Sequence, residues 1–408
     1  MPGLDNLAST AAGTSEVVSL FLALAILLAA AKLAGEFFVR LGQPAVVGEL
    51  LAGLLLGPTL IDLLSRPFAG GSFSAETIHV LAQLGVLWLM FGAGLEVEFE
   101  DYRRAGRPAG LAALLGVVLP VLGGVGLALA FGYPSGQAWF IGLILSATSV
   151  TISAQTLLEL GKLRTPVGTA LMGAAVIDDV LVIIMLSVFL GVVGGGASLA
   201  SVAAQIGVMA LTLAGVAAAA WLVLPRVAQA GSRLRVSQGT TSLVLAGVLL
   251  LAWATEHLGG MAAITGAFLA GVGLGRSHLR DEIERGLATL SFAFFVPLFL
   301  VDIGLQADLG ALDSRGLGFG LALLLVAGLT KLVGAALGAR LGGMPPRPSI
   351  QLGLGMMSRG EVGLIVAGVG TAGGLLSGEV FGAVILMVIG TTLATPVLLR
   401  RAFRPEEG

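Results

Sequence analysis

Asp178 and Asp179 stand side by side in the middle of an apolar run, Val167 to Leu190, that is long enough to cross a bilayer as one helix. A carboxylate at that depth is costly, so it faces protein or water and by default handles ions or protons. The chain must therefore fold to give this pair a counter-charge or an aqueous path. Neighbours on a helix point about 100° apart, so one acid can meet a buried base while the other faces a route for ions. The plainer alternative is a neutralised pair that only holds helices together.

Composition fixes the setting. Of 408 residues, 56% are apolar and 11% charged, with a mean hydropathy of +1.00. Soluble domains carry about 25% charged residues, so this is an all-α, polytopic integral membrane protein whose solvent includes the lipid bilayer. There is no cysteine, which excludes disulfides and thiolate metal sites. His79, His257 and His278 are scattered and form no ligand cluster. No cofactor, nucleic-acid partner or enzymatic nucleophile–base pair is expected. The segment Met1–Ser15 lacks a basic n-region, and no removable signal peptide is expected.

Apolar runs place about 13 spans at 16–40, 44–62, 76–96, 107–132, 137–160, 166–192, 200–225, 240–257, 259–277, 286–306, 316–340, 349–372 and 379–400. With the N-terminus outside and the C-terminus cytoplasmic, 17 basic residues fall on the cytoplasmic side and only Arg66 and Arg315 on the other. Lys32, Lys331 and Arg359 remain inside spans. The stretch Val227–Gly239 reads as a connector between two halves.

Two spans look interrupted. Ser146, Thr148, Ser149, Thr151, Ser153 and Gln155 crowd into 137–160, where hydroxyls can bend a helix or satisfy unwound backbone. Ser358, Arg359, Gly360, Glu361 and Gly363 sit in 349–372. Paired interruptions in two halves point to a transporter site built from inverted repeats. Lys331, deep in its span, needs a counter-charge, and the aspartate pair is the obvious one. Arg359 and Glu361 fit structure and gating. Lys32 and Glu36 are spaced to pair along one helix. Glu49 and Glu96 read as helix-end or inter-domain contacts, and Asp302 as a snorkelled or outer-vestibule charge.

These motifs together, namely Gln43–Pro58, Ala147-Thr-Ser-Val150, Gly173–Val180, Lys331 in Thr-Lys-Leu-Val-Gly and Ser358–Ile365, resemble the monovalent cation:proton antiporter-2 family, nearest its NapA-type bacterial sodium/proton antiporters. The resemblance runs nearly end to end. It implies two inverted repeats with a pair of crossing discontinuous helices, in a homodimer of the bacterial plasma membrane. It implies a mobile core (107–192 and 316–402), a dimerisation panel (16–96 and 240–306) and a linking helix (200–225). It assigns ion and proton carriage to Asp178, Asp179 and Lys331, with Asp179 the Na⁺ carboxylate and Asp178 the partner of Lys331. Thr148, Ser149, Arg359 and Glu361 mark the crossing helices, and Glu96 and Asp302 are possible accessory charges. Asp302 departs from the family pattern, which has an uncharged residue there. The implied activity is electrogenic exchange of Na⁺ (or Li⁺) for H⁺ by alternating access. A K⁺/H⁺ antiporter of the same fold is the alternative; a gated channel or a sodium-coupled symporter fits the sequence less well.

Overall fold

The structure, a computed structural model, describes residues 2–66, 69, 71–96, 99–193, 199–306, 314–372 and 374–404. Side chains are described for these except at 2–15, 72, 96, 99–105, 187, 190–193, 199–202, 314, 361, 365, 368–369 and 371–372. Among the described residues there is no β-strand.

The helices in chain order are α1 (Pro2–Arg40), α2 (Ala45–Leu56), α3 (Gly71–Glu96), α4 (Phe99–Ala130), α5 (Ser135–Ser146), α6 (Val150–Glu159), α7 (Pro166–Val193), α8 (Leu199–Ala218) and α9 (Leu224–Ser232). They continue with α10 (Gly239–Gly259), α11 (Ala263–Leu274), α12 (Arg280–Leu290), α13 (Val296–Leu305), α14 (Ser314–Leu341), α15 (Pro346–Gly355), α16 (Glu361–Ala372) and α17 (Gly378–Ala402). Single π turns, Ala219–Val223 and Ser291–Phe295, join α8 to α9 and α12 to α13.

Each expected span has a helical counterpart, with two differences of length. Among the described residues, ten helical stretches are long and apolar enough to cross a membrane, while α2 and α11 are short apolar helices. Gly57 ends α2, with its N–H returning to the Gly53 carbonyl. Gly260 takes the left-handed conformation (φ 62°) that closes α10, and α11 starts three residues later. α9 runs on to Ser232, so the expected connector 227–239 is helical in its first half and irregular or turn from Arg233 to Gln238.

The chain packs as two compact units, one formed by Met1–Val86 and Leu290–Ala311, the other by Leu87–Thr289 and Leu312–Gly408. In the first, α2 packs on α1 and α13 around Leu27, Ala31, Ile78, Leu298 and Val301. Here the structure corrects one expected pairing. Lys32 Nζ meets Glu49 Oε1 of α2 at 2.9 Å, and Glu36 instead receives Arg40 at 2.8 Å. Glu49 is buried whereas Glu36 is exposed, so the carboxylate that most needs a counter-charge takes the lysine. Asp302 is also corrected. It is not snorkelled but buried (6% exposed), held by His79 Nδ1 at 2.9 Å and Gln306 Nε2 at 2.7 Å.

In the second unit α4 lies along α14, α5 and α7, and α14 along α15 and α17. Its core includes Phe140, Ile144, Phe319, Leu323, Val384 and Met387. Closely packed helices of this kind surround the two broken ones.

Candidate functional site

Each broken helix is interrupted where the sequence offers the backbone an alternative to helix. In the first, α5 stops at Ser146, Ala147 is extended (φ −60°, ψ 135°), and α6 resumes after an extended Ser149 (φ −95°, ψ 103°). In the second, α15 ends at Gly355 and α16 begins at Glu361. The breaks satisfy one another. Ser149 N–H donates to the Ser358 carbonyl at 2.9 Å, and Ser358 Oγ donates back to the Ser149 carbonyl at 2.5 Å. Ser153 Oγ donates to the Gly355 carbonyl at 2.5 Å. Glycine is required at 360, because a Cβ there would lie 2.6 Å from Ser149 Cβ and Oγ.

The broken ends leave carbonyls that a membrane interior cannot hydrate, and two fully buried cations take them. Lys331 Nζ donates to the Ser146 carbonyl at 2.8 Å. Arg359 Nη1 donates to the Ala147 carbonyl at 3.1 Å and to Thr148 Oγ1 at 3.4 Å, and its Nη2 to the Ala327 carbonyl at 3.1 Å. The Arg359 backbone is clamped by α17: its N–H donates to Thr391 Oγ1, and Thr392 Oγ1 donates to its carbonyl. Arg359 thus ties together α5, α14 and α17. The side chains of Glu361 and Glu96 lie outside the described residues.

The aspartates occupy the middle of α7, at 0% and 7% exposure for Asp178 and Asp179. Lys331 Nζ lies 2.6 Å from Asp178 Oδ1, and both side chains are fully buried. Asp178 Oδ2 is buried and makes no hydrogen bond within the described chain. Asp179 Oδ2 receives Thr265 Oγ1 of α11 at 3.3 Å. The two carboxylates therefore face different neighbours, as their angular separation requires. One side of the pair is pinned by a lysine, and the other meets a neutral hydroxyl.

The structure brings Asp178, Lys331, Thr148, Ser149 and Arg359 into one polar junction, with Asp179 adjacent on α7. The carboxylates, hydroxyls and freed carbonyls are hard oxygen donors of the kind that replace water around a small cation. Asp302 lies in the other unit, in the His79–Gln306 cluster. Sequence reasoning missed Thr265, Thr391, Thr392 and the reciprocal Ser149–Ser358 bonds. Only the hydroxyl-rich composition of the breaks hinted at the last of these.

A helical membrane protein with two mutually crossing broken helices and buried acids beside them is a secondary transporter. Residues 18–404 match the family described as "Sodium/hydrogen exchanger, transmembrane". The chain belongs to that family, and is thus a sodium/proton antiporter by family rather than an enzyme family member. Relatives include the Na(+)/H(+)-K(+) antiporter GerN of Bacillus cereus, 38% identical over 95% of this chain and 97% of that protein. The high-affinity Na(+)/H(+) antiporter NhaS3 of Synechocystis is 34% identical over 99% of this chain and 95% of its own length. The Na(+)/H(+) antiporter of Enterococcus hirae is 31% identical over 92% and 96%. The solved structure of the sodium proton antiporter MjNhaP1 from Methanocaldococcus jannaschii at pH 8 shares the fold. Its TM-score is 0.66 at 19% identity, over 95% of this chain and 97% of that one.

Proposed function

We propose that Asp178, Asp179 and Lys331 form a single site that binds either Na⁺ (or Li⁺) or protons, and that the chain exports cytoplasmic Na⁺ in exchange for external H⁺. The observation that carries this reading is the buried 2.6 Å Lys331–Asp178 pair beside a second buried carboxylate, Asp179, at the crossing of two broken helices. Asp179 is the principal Na⁺ ligand. A cation entering beside Asp179 lowers the need of Asp178 for its lysine partner, so Lys331 can release its proton as Na⁺ binds. Competition for one site couples the two fluxes without a separate gate.

Two protons entering for each Na⁺ leaving carry one net positive charge inward. A membrane potential of 100 mV, negative inside, then contributes about 2.3 kcal/mol to each cycle. Residues 107–192 and 316–402 form the moving body and 16–96 and 240–306 the dimerisation panel, with 200–225 between them, in a homodimer. This division is supported by family resemblance and by the placement of the site within α7 and α14. The strong basic bias of one set of loops supports an external N-terminus and a cytoplasmic C-terminus in a bacterial plasma membrane. Glu96 and Asp302 are accessory charges that do not ligate the ion, and no covalent chemistry takes part.

The test is reconstitution into proteoliposomes with an imposed pH gradient, following luminal pH on addition of Na⁺, Li⁺ or K⁺, with and without a potassium-diffusion potential. Na⁺- and Li⁺-driven proton flux that responds to the potential is expected. Flux driven by K⁺ alone would replace the cation assignment, and flux indifferent to potential would remove the electrogenic stoichiometry.

A further inference from the structure

Thr265 lies in the first turn of the apolar helix α11 and has been given no role so far in the exchange just described. It is 3% exposed, and its hydroxyl is directed at Asp179 Oδ2 from α11, whereas every other site residue discussed above belongs to α5–α7 and α14–α17. Its position is fixed locally. The left-handed Gly260 turns the chain, and Thr265 N–H returns to the Ala262 carbonyl at 3.0 Å, in the first turn of α11. The next residue, Gly266, lets α11 lie directly on α10, since a Cβ there would be 2.4 Å from Thr255 Oγ1 and 2.5 Å from the Leu251 carbonyl. The tightly packed reversal thus fixes the hydroxyl relative to α10.

We propose that Thr265 is a positioning residue for Asp179 that holds the unloaded, ionised carrier in place, so that the site crosses the membrane only with a cation or protons aboard. The inference rests on the function proposed above, in which α7 moves and α10–α11 stay. A hydroxyl donating to a carboxylate anion, here over a long 3.3 Å, makes a stronger contact than it does with a neutral acid. Once Asp179 is neutralised by Na⁺ or H⁺, the anionic acceptor is gone and the same contact becomes an ordinary, weaker one. The bond therefore opposes movement most in the one loading state whose crossing would uncouple the exchange. Transit of the empty carrier would let protons or Na⁺ run down their own gradients.

The experiment compares wild type with Thr265→Val, Thr265→Ala and Thr265→Ser in proteoliposomes. It measures dissipation of an imposed pH gradient without Na⁺, Li⁺ or K⁺, relative to Na⁺-driven exchange in the same vesicles. Loss of one charge-assisted bond raises the leak-to-exchange ratio roughly tenfold in the Val and Ala variants, while Ser, which keeps the hydroxyl, stays near wild type. Using two hydroxyl-free variants guards against one failing to fold. An unchanged ratio in whichever of them folds would overturn the proposal. So would a Ser variant that leaks as much as Val, since packing of the methyl group would then be the cause. The ion-site reading is judged separately, by whether an Asp179→Asn variant still exchanges Na⁺ for H⁺.

Discussion

Lys331 and Asp178 face each other at 2.6 Å with no part of either side chain exposed, and the same ammonium group also takes the terminal carbonyl of α5 at 2.8 Å. One side chain thus serves both an acid and a broken helix. Lys331→Gln keeps a donor for the Ser146 carbonyl but leaves the Asp178 carboxylate without its cation. Breaking a buried pair from one side costs about 3–5 kcal/mol, so a marked fall in the unfolding temperature of the detergent-solubilised protein is expected. The Asp178→Asn/Lys331→Gln double variant should recover much of that loss. In vesicles, Lys331→Gln should exchange Na⁺ for H⁺ without moving net charge. Unaltered electrogenicity would remove Lys331 as a proton carrier.

Arg359 satisfies carbonyls at Ala147, in the break after α5, and at Ala327 of α14, from one planar guanidinium group. A lysine has three donors but no fork with which to span both. Each hydrogen bond from a charged donor is worth about 1.5–3 kcal/mol, so Arg359→Lys should lose roughly that amount through the carbonyl it fails to reach. Thermal unfolding of the purified variant checks this. Stability equal to wild type would mean that these carbonyls do not depend on the guanidinium group.

Gly360→Ala tests the crossing itself. The added methyl group would sit 2.6 Å from Ser149 Cβ and Oγ, against a residue already committed to Ser358 through two bonds. Overpacking of this kind costs about 1–3 kcal/mol, and here it displaces the breaks relative to each other. A large fall in Na⁺-driven proton flux is expected from protein that still reaches the membrane. Wild-type flux would show that the breaks can separate without consequence.

The cluster around Asp302 offers a test in the other unit. His79→Ala removes the imidazole held at 2.9 Å and leaves the buried carboxylate with Gln306 as its remaining partner among those described. A loss of about 1–3 kcal/mol in stability is expected from the under-satisfied acid. The Asp302→Leu variant, which removes the charge itself, should tolerate His79→Ala far better. Equal losses in both backgrounds would mean that the two side chains do not support each other.

Much of this was legible in the sequence because a bilayer forces simple patterns. Apolar runs had to become helices, and Ser/Thr crowding or a glycine beside a charge had to interrupt them. Lys331 buried in a span had to find an acid. What stayed hidden depends on which helix lies beside which. Lys32 had a suitably spaced partner in Glu36, yet the buried Glu49 of α2 claimed it. Thr265 looked like one more hydroxyl in an apolar stretch, and nothing local pairs it with a residue 86 positions earlier. His79 and Asp302, each isolated in sequence, become a pair only once α3 and α13 are placed. The expected spans also ran past the ends of α2 and α11, across Gly57-Pro58 and Gly259-Gly260, because a stretch long enough to cross a bilayer averages short polar flanks into one apolar run.

Everything in this account returns to the carboxylate at 179. The most direct measurement is cation-driven proton flux in proteoliposomes bearing Asp179→Asn, with wild type and empty vesicles alongside. The amide keeps the size of the side chain and removes both its charge and its titratable proton. Na⁺- and Li⁺-driven flux should fall to the level of empty vesicles while the protein stays folded. Flux at the wild-type level would contradict the assignment of Asp179 as the ion-binding carboxylate.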